Sequence, residues 1–304
     1  MTTSRISKTA SALQNNGLIL MLLSATFFAA SIILIRVAGE NFDISFWVIT
    51  LCQFSVGLVL INTFFHGKRK ASWKKVYTDP WLIARGILGG FGIPLYNLCI
   101  LELGAGRSTI LGSSYPIFAA LLAPLLIAEH LKLRHILLGL VALGGITLMT
   151  GPESFRDGLN GYDALAVAIA IASGLIITII RKLHATYNTA TIYAAQCGFG
   201  LMICLPGAFL QFSMPSLSGW FFLIGAALCV AFGQITMTQG FRHTSVAKGS
   251  SLHLLTPVLV TTASFVFLGE FFTLLDIIGG TAIVLSCLFI VNDKWAIPLT
   301  GLNR

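Results

Sequence analysis

The sequence predicts an all-α integral membrane protein whose ten transmembrane helices form two inverted five-helix repeats. Of its 304 residues, 56% are hydrophobic and only 10% are charged, whereas a soluble domain carries charge on roughly a quarter of its residues. Apolar runs close to the ~20 residues that cross a bilayer as a helix recur along the chain. Helices are expected because lipid offers no partner to backbone N–H and C=O groups. The repeats are indicated by residues that recur at a constant separation.

The loops between the apolar runs are short, so no soluble domain is inserted between them. The first run holds 19 residues, from Gly17 to Ile35. It is longer than the apolar part of a cleavable signal peptide, which has ~7–15 residues, and is therefore expected to remain as the first helix. The predicted spans are 17–35, 44–65, 82–101, 108–128, 135–150, 162–180, 190–212, 217–241, 246–269 and 273–292.

The distribution of basic residues predicts how these helices are oriented. With a cytoplasmic N-terminus, 16 of the 19 Lys and Arg residues lie in cytoplasmic segments, Arg85 among them. The three on the outer side are Arg36, Arg107 and Arg156. Basic loops stay on the cytoplasmic side, so both termini are expected there. This bias explains the net charge of +8 without nucleic acid, and the basic loop from Lys68 to Lys75 can also contact anionic lipid headgroups.

The two halves of the chain share residues that lie 141 positions apart. The corresponding residues are Pro116 with Pro257, Glu129 with Glu270, and Gly139 with Gly280. Each half, residues 1–150 and 151–304, is predicted to form one five-helix repeat. Because five is odd, the second copy enters the membrane upside down. Inverted repeats of this kind are typical of secondary transporters, which bind solute at the repeat interface.

The segment from Ser108 to Gly139, STILGSSYPIFAALLAPLLIAEHLKLRHILLG, resembles the signature half of the EamA family in the drug/metabolite transporter superfamily. In that family a Pro within a helix, a Glu at its end and a following Gly recur in each half, and Gly249 to Gly280 repeats the pattern here. The resemblance covers about residues 17–292. It implies a ten-helix bundle with a central cavity and alternating access, in carriers of small metabolites of the bacterial inner membrane. The family often has an Arg in its second span, where this chain has Gln53.

Polar side chains at similar depth in several spans are the candidates for contact with a solute. Polar groups that face lipid are costly, so most of them are expected to point inward. An inward Ser or Thr can equally bond a neighbouring helix. The predicted substrate-binding residues are Tyr96, Asn97, Ser113, Tyr115, Gln234, Thr238, His253 and Thr256.

Five residues have predicted roles with open alternatives. His253 can relay protons or bond a substrate carboxylate, or it is a neutral imidazole bonded to a neighbour. Pro116 and Pro257, expected within their spans, are predicted to remove a helical hydrogen bond and bend the helix, as a hinge or an opened backbone beside the cavity, or as a static kink needed for packing. Glu129 and Glu270 lie at span ends and are predicted to be structural or gating residues rather than proton carriers.

Together these features predict a secondary transporter rather than an enzyme. Its expected substrate is a small polar metabolite, an amino acid or related compound, moved across the bacterial inner membrane by alternating access, with export favoured. The uncharged candidates favour a neutral or zwitterionic solute over a strong anion. An importer or exchanger of another class, such as a nucleoside-like compound, is the alternative. A distant alternative is an intramembrane hydrolase that uses Ser113 and His253, for which the sequence marks no oxyanion hole.

The expected partners are the solute and membrane lipid, with no nucleic acid. No cofactor or metal is expected, because no group of Cys and His residues has metal-ligand spacing. Both a monomer and a homodimer are compatible with the sequence. A passive channel would need polar rings or a filter, and the sequence has neither.

Overall fold

A computed structural model of the protein describes residues 2–127, 133–150, 158–212, 214–268 and 273–292. Within these ranges every regular element is helical. The α-helices are α1 (Thr2–Phe42), α2 (Phe46–Phe64), α3 (Trp73–Val76), α4 (Pro80–Gly112), α5 (Tyr115–Ile127), α6 (Leu133–Thr150), α7 (Gly161–Leu183), α8 (Thr189–Leu210), α9 (Leu217–His243), α10 (Val246–Leu252), α11 (Thr256–Leu268) and α12 (Leu274–Val291). Two 3₁₀ turns, Gly67–Arg69 and His253–Leu255, lie between them. The predicted gating residues Glu129 and Glu270 lie outside the described ranges.

The long helices have the length and composition of membrane spans. In the described ranges, six are long and apolar enough to cross a bilayer: α1 from Asn16, α2, α4 as far as Gly104, α7, α8 and α9. Their outer surfaces are apolar, with Phe209 84% and Phe221 73% exposed, as expected of side chains that face hydrocarbon. The protein is therefore a multi-pass membrane protein. Shorter helices cover the fourth, fifth, ninth and tenth predicted spans, so the ten-span arrangement stays a prediction.

The fourth and ninth predicted spans are each interrupted, at corresponding positions. α4 ends at Gly112, and α5 begins at Tyr115 after two serines in a turn. α10 ends at Leu252, and a 3₁₀ turn leads into α11 at Thr256. The two halves of the chain therefore stop and restart a helix about 141 residues apart.

The prolines lie just after these interruptions, whereas each was expected to remove a hydrogen bond from within a helix. Pro116 is the second residue of α5 and Pro257 is the second residue of α11. The first N–H groups of a helix have no intrahelical acceptor, so a proline there removes no hydrogen bond. Pro116 and Pro257 therefore lie in the first turns of α5 and α11 and do not kink the helices that precede them.

The first segment of α4 is fixed at both ends. The Oδ1 atom of Asp79 accepts hydrogen bonds from the backbone N–H groups of Trp81 (2.9 Å) and Leu82 (3.2 Å), and its Oδ2 atom accepts one from the Tyr187 hydroxyl at 2.9 Å. At the other end, Gly104 has φ 77° and ψ 164°, a conformation that is essentially open to glycine alone. The chain therefore turns between the third and fourth predicted spans without a separate loop.

Helix packing connects the two halves of the chain. α1 packs on α9 and α11, while α7 packs on α4 and α5. α2 packs on α9, and α8 packs on α4. Three further pairs, α2 with α8, α5 with α10 and α6 with α12, join one element of each half.

Glycines bring α4 close to α8. A β-carbon on Gly86 would lie 2.9 Å from the carbonyl oxygen of Ala195, and one on Gly90 would lie 3.1 Å from the Cα atom of Gly200. Small residues at such positions let two backbones approach. The Gly86 and Gly90 pair therefore sets the separation of the two helices.

Gly86→Ala tests this packing, with Gly92→Ala as its matched control on the same helix. The new methyl at position 86 would press on a backbone oxygen, so we expect a loss of about 1–3 kcal/mol in stability. A β-carbon on Gly92 would have no described atom within 4 Å outside the backbone of its own helix. Alanine there should therefore be neutral or stabilise the helix by up to ~1 kcal/mol. Thermal unfolding in detergent measures both variants. Equal melting temperatures would contradict the packing described here.

Candidate functional site

A cavity of about 200 Å³ is lined by residues from both halves of the chain. Its walls come from α1, α4, α5, α7, α8, α9 and α11. Ser113 and His253, one at each helix interruption, both line it. Non-helical backbone is tolerated in a membrane where it faces a cavity or protein instead of lipid. The cavity therefore lies where the two interruptions meet.

Most of the predicted substrate-binding residues reach this cavity. The seven that line it are Tyr96, Asn97, Ser113, Tyr115, Gln234, His253 and Thr256. Thr238 is the exception: it is fully buried, one helical turn beyond Gln234, and it is absent from the cavity wall. Its carbonyl oxygen accepts a hydrogen bond from Nε2 of His184 at 2.7 Å, because the end of α7 closes this part of the bundle.

The two prolines lie away from the main cavity. Pro116 lines a separate small pocket together with His135 and Gly139. Pro257 is buried at the start of α11 and does not line the main cavity. Both prolines therefore shape the backbone next to the helix interruptions, and neither lines the main cavity.

Asn97 is held in the cavity wall by side chains of α2. Its Nδ2 atom donates to Oγ1 of Thr50 at 2.8 Å and to Oε1 of Gln53 at 3.0 Å. The Thr50 hydroxyl donates in turn to the carbonyl oxygen of Phe46 at 2.7 Å. All three polar side chains are buried, so this network fixes the orientation of the amide. Gln53, which stands where the EamA pattern often has an arginine, positions Asn97 and adds no charge.

His253 presents an unpaired nitrogen among aromatic rings. Its ring lies 5.7 Å from that of Phe28 and 6.4 Å from that of Tyr115, both edge to face. Its Nε2 atom is buried and has no hydrogen-bond partner among the described residues. Ser113 lines the same cavity, but within the described part of the chain no hydrogen bond joins the two side chains. The imidazole is thus available to a solute and is not oriented as a base for Ser113.

Arg85 is the charged cavity residue that sequence reasoning missed. The sequence assigned it to the cytoplasmic surface, whereas it lies in the second turn of α4, 1% exposed, on the cavity wall. Its Nη2 atom donates to Oε1 of Gln196 and lies 3.4 Å from Oε1 of Gln234. Its guanidinium group occupies the space that a side chain on Gly89 would take.

A signal for Arg85 was present in the sequence. It lies inside the predicted span 82–101, directly before the Gly86 and Gly90 pair that brings α8 close. A charge next to a helix–helix contact faces protein and not lipid. The positive-inside count concealed this, because it treats every basic residue near a helix end in the same way.

Arg36 and Arg107, which are predicted to lie on the outer side, have carboxylate partners. Arg107 meets Asp163 twice, with Nε to Oδ1 and Nη2 to Oδ2 both at 2.7 Å. Its Nη2 atom also donates to the carbonyl oxygen of Gly158 at 2.7 Å. Arg36 pairs with Glu40 at 3.0 Å. The Arg107 pair ties α4 to α7, whereas the Arg36 pair lies within α1.

Comparison with known proteins identifies the family. A model of the EamA-like transporter family matches residues 15–151 and 161–292. The chain belongs to this family. It is therefore a transporter of the drug/metabolite superfamily and not an enzyme.

Two relatives agree with this family assignment, and a solved structure has a similar fold. The pseudopaline exporter CntI of Pseudomonas aeruginosa is 24% identical over 216 residues, which cover 71% of this chain and 76% of that protein. An uncharacterized transporter of Archaeoglobus fulgidus is 25% identical over 255 residues, with 79% and 88% coverage. A crystal structure of 18% identity superposes with a TM-score of 0.71 over 92% of this chain and 98% of its own, which supports the fold alone.

His184 directly follows α7 and is a titratable group outside the spans whose pKa is shifted by the packing around it. Its pKa is lowered from 6.5 to about 4, chiefly by burial; the hydrogen bond to the Thr238 carbonyl opposes the shift and nearby Arg242 adds to it. An unfolded histidine takes up its proton near pH 6.5. The unfolded chain therefore binds this proton at a higher pH than the folded protein does, and folding stability falls as the pH drops from about 6.5 towards 4.

His184→Gln is expected to reduce this sensitivity to acid. Between pH 7 and pH 5 the wild-type melting temperature should fall by more than that of His184→Gln, because the variant has no imidazole to protonate. His66→Gln is the control, since His66 is exposed and should leave the wild-type slope unchanged. Identical slopes in wild type and His184→Gln would show that His184 does not carry the effect.

Proposed function

We propose that the protein is a secondary transporter that moves an amino acid or a related small polar metabolite across the bacterial inner membrane by alternating access, with export favoured. The observation that carries the proposal is the cavity lined by both interrupted helices. Discontinuous helices beside a midplane site are a recurrent feature of secondary transporters. Solute would bind in this cavity, and movement of the two halves would expose it to each side in turn.

The pattern of helix contacts supports two repeats of five helices, residues 1–150 and 151–304. Matching the elements of the halves in order, α1, α2, α4, α5 and α6 correspond to α7, α8, α9, α10–α11 and α12. The contact of α1 with α9 then corresponds to that of α7 with α4, and the contact of α1 with α11 to that of α7 with α5. The contact of α2 with α9 corresponds to that of α8 with α4. Such equivalence is expected of a pseudo-two-fold axis.

The cavity suits a small solute with both polar and apolar parts. Its volume of about 200 Å³ has room for a molecule of amino-acid size. Asn97, Gln234 and His253 offer hydrogen-bonding groups, and Phe28 and Tyr96 offer apolar surface. Export is favoured because the relative from Pseudomonas aeruginosa is named an exporter. The excess of basic residues in the predicted inner loops supports cytoplasmic termini, with solute and lipid as partners of a monomer or a homodimer.

Counterflow in proteoliposomes tests the proposal. Purified protein is reconstituted with unlabelled solute inside, and uptake of labelled amino acids, related metabolites and nucleosides is followed with and without a pH gradient. We expect saturable exchange of the amino-acid class, which a channel would not give. Exchange of nucleosides alone would move the substrate to the alternative class. No exchange of any compound by folded, reconstituted protein would contradict the proposal.

Asn97→Ala should lower this exchange without loss of membrane insertion. Removal of one oriented hydrogen bond worth about 1–1.4 kcal/mol predicts a loss of about five- to tenfold in apparent affinity. Asn62→Ala is the matched control, because Asn62 is exposed on α2 and bonds only the carbonyl of Leu58 among described residues. His253→Gln, with His66→Gln beside it, makes the same comparison for the imidazole. Wild-type exchange in both cavity variants would remove these residues from the site.

A further inference from the structure

Arg85 is a buried cation for which the described structure provides no anion. Among the described residues that line the cavity, none is an Asp or a Glu. The oxygens that its Nη2 atom meets, on Gln196 and Gln234, belong to uncharged amides. The Nε and Nη1 atoms are buried and have no hydrogen-bond partner in the described part of the chain. A guanidinium carries five N–H donors, and most of them are therefore unused.

The surroundings hold this guanidinium in one place. Arg85 comes from α4, Gln196 from α8 and Gln234 from α9, so three helices converge on it. Gly89 leaves the space that the group fills. A long side chain that is already fixed loses little freedom when it binds a ligand, which favours affinity.

A buried charge without a counter-charge, such as that of Arg85, destabilises the protein when no solute is bound. Burial of an ion without a counter-charge is costly, and intramembrane ionisable residues mark substrate or ion pathways. The outer arginines Arg36 and Arg107 lack this property, because each has a carboxylate partner. An anionic group on the solute would supply the missing partner, and N–H donors of arginine suit a carboxylate.

The absence of acidic side chains from the described cavity wall also indicates which other groups the solute carries. The described cavity wall has no carboxylate that would pair with an ammonium group. Besides Arg85 it offers aliphatic surface from Ile32, Ile35 and Ile100, and the aromatic ring of Phe28 beside His253. The cavity therefore combines one charged group with a largely apolar wall.

We propose that Arg85 binds the carboxylate of the transported solute, and that the solute is an acid with an apolar body whose amino group, where it has one, is not required. The proposal rests on the proposed function and narrows its substrate class. It replaces the sequence-based preference for a neutral or zwitterionic solute, which was reached without Arg85. Among amino-acid derivatives it selects those that keep the carboxylate and permits those in which the amine is blocked.

A series of matched solutes tests this in wild-type protein. For aliphatic, aromatic and polar side chains, counterflow is measured for the free amino acid, its N-acetyl derivative and its amide. We expect the N-acetyl acids to exchange at least as well as the free amino acids, and the amides to need at least tenfold higher concentrations. Exchange of amides as well as acids would overturn the assignment of Arg85 while leaving the transporter intact. Absence of exchange by every compound would instead contradict the proposed function.

Variants of Arg85 give the second readout. Arg85→Gln should raise the half-saturating concentration of the acids at least tenfold and abolish the difference between acid and amide. Arg85→Lys keeps a charge and should retain part of that difference. Arg36→Gln, which removes an arginine that is paired with Glu40, should match the wild type. Unchanged discrimination in folded Arg85→Gln would overturn the proposal, and if that variant does not fold, the wild-type series decides.

Discussion

The backbone at the two helix interruptions is the constraint on which the rest of the structure depends. Between α4 and α5, and between α10 and α11, a tight turn replaces the regular helix: the Ser114 N–H donates to the Leu111 carbonyl at 3.2 Å, and the Thr256 N–H donates to the His253 carbonyl. Lipid offers no partner to any backbone group that such a turn leaves free. Such backbone is stable only where protein or a hydrated space meets it. The bundle satisfies this by bringing both interruptions to one cavity, where Ser113 and His253 lie. A proline comes shortly after each interruption, and proline is favoured in the first turn of a helix. Pro116 and Pro257 therefore help to determine where α5 and α11 begin.

Close packing of α4 on α8 positions the guanidinium group of Arg85 in the cavity wall. Gly86 and Gly90 let α4 approach α8, and this approach brings Gln196 to Arg85. The polar amides orient the guanidinium without neutralising it. A site of this kind is a compromise between stability and function, because an unpaired buried charge weakens the empty protein and strengthens the complex with an anionic solute. The close packing on α8 and the charge proposed to bind the solute therefore both lie within about the first three turns of α4.

Much of the architecture could be predicted from the sequence, since apolar runs and repeated residues depend on local composition. Family membership and the multi-pass character were confirmed, and seven predicted polar residues reach the cavity. Thr238 was misplaced because a polar residue one turn from Gln234 shares its face, and only packing against the end of α7 separates the two. The prolines were expected to remove a hydrogen bond within a helix because hydropathy does not register a break of two or three residues. Arg85 was missed because its role depends on which helix it faces, and tertiary contacts decide that.

The most direct test of the account is whether one cavity position can be reached from both sides of the membrane. Ser113→Cys would be made in a variant whose six native cysteines are replaced by alanine, and a membrane-impermeant maleimide would be added to right-side-out or inside-out vesicles. Alternating access predicts labelling from both sides, with protection by a transported solute in each case. Labelling from one side alone under every condition, with or without solute, would contradict it.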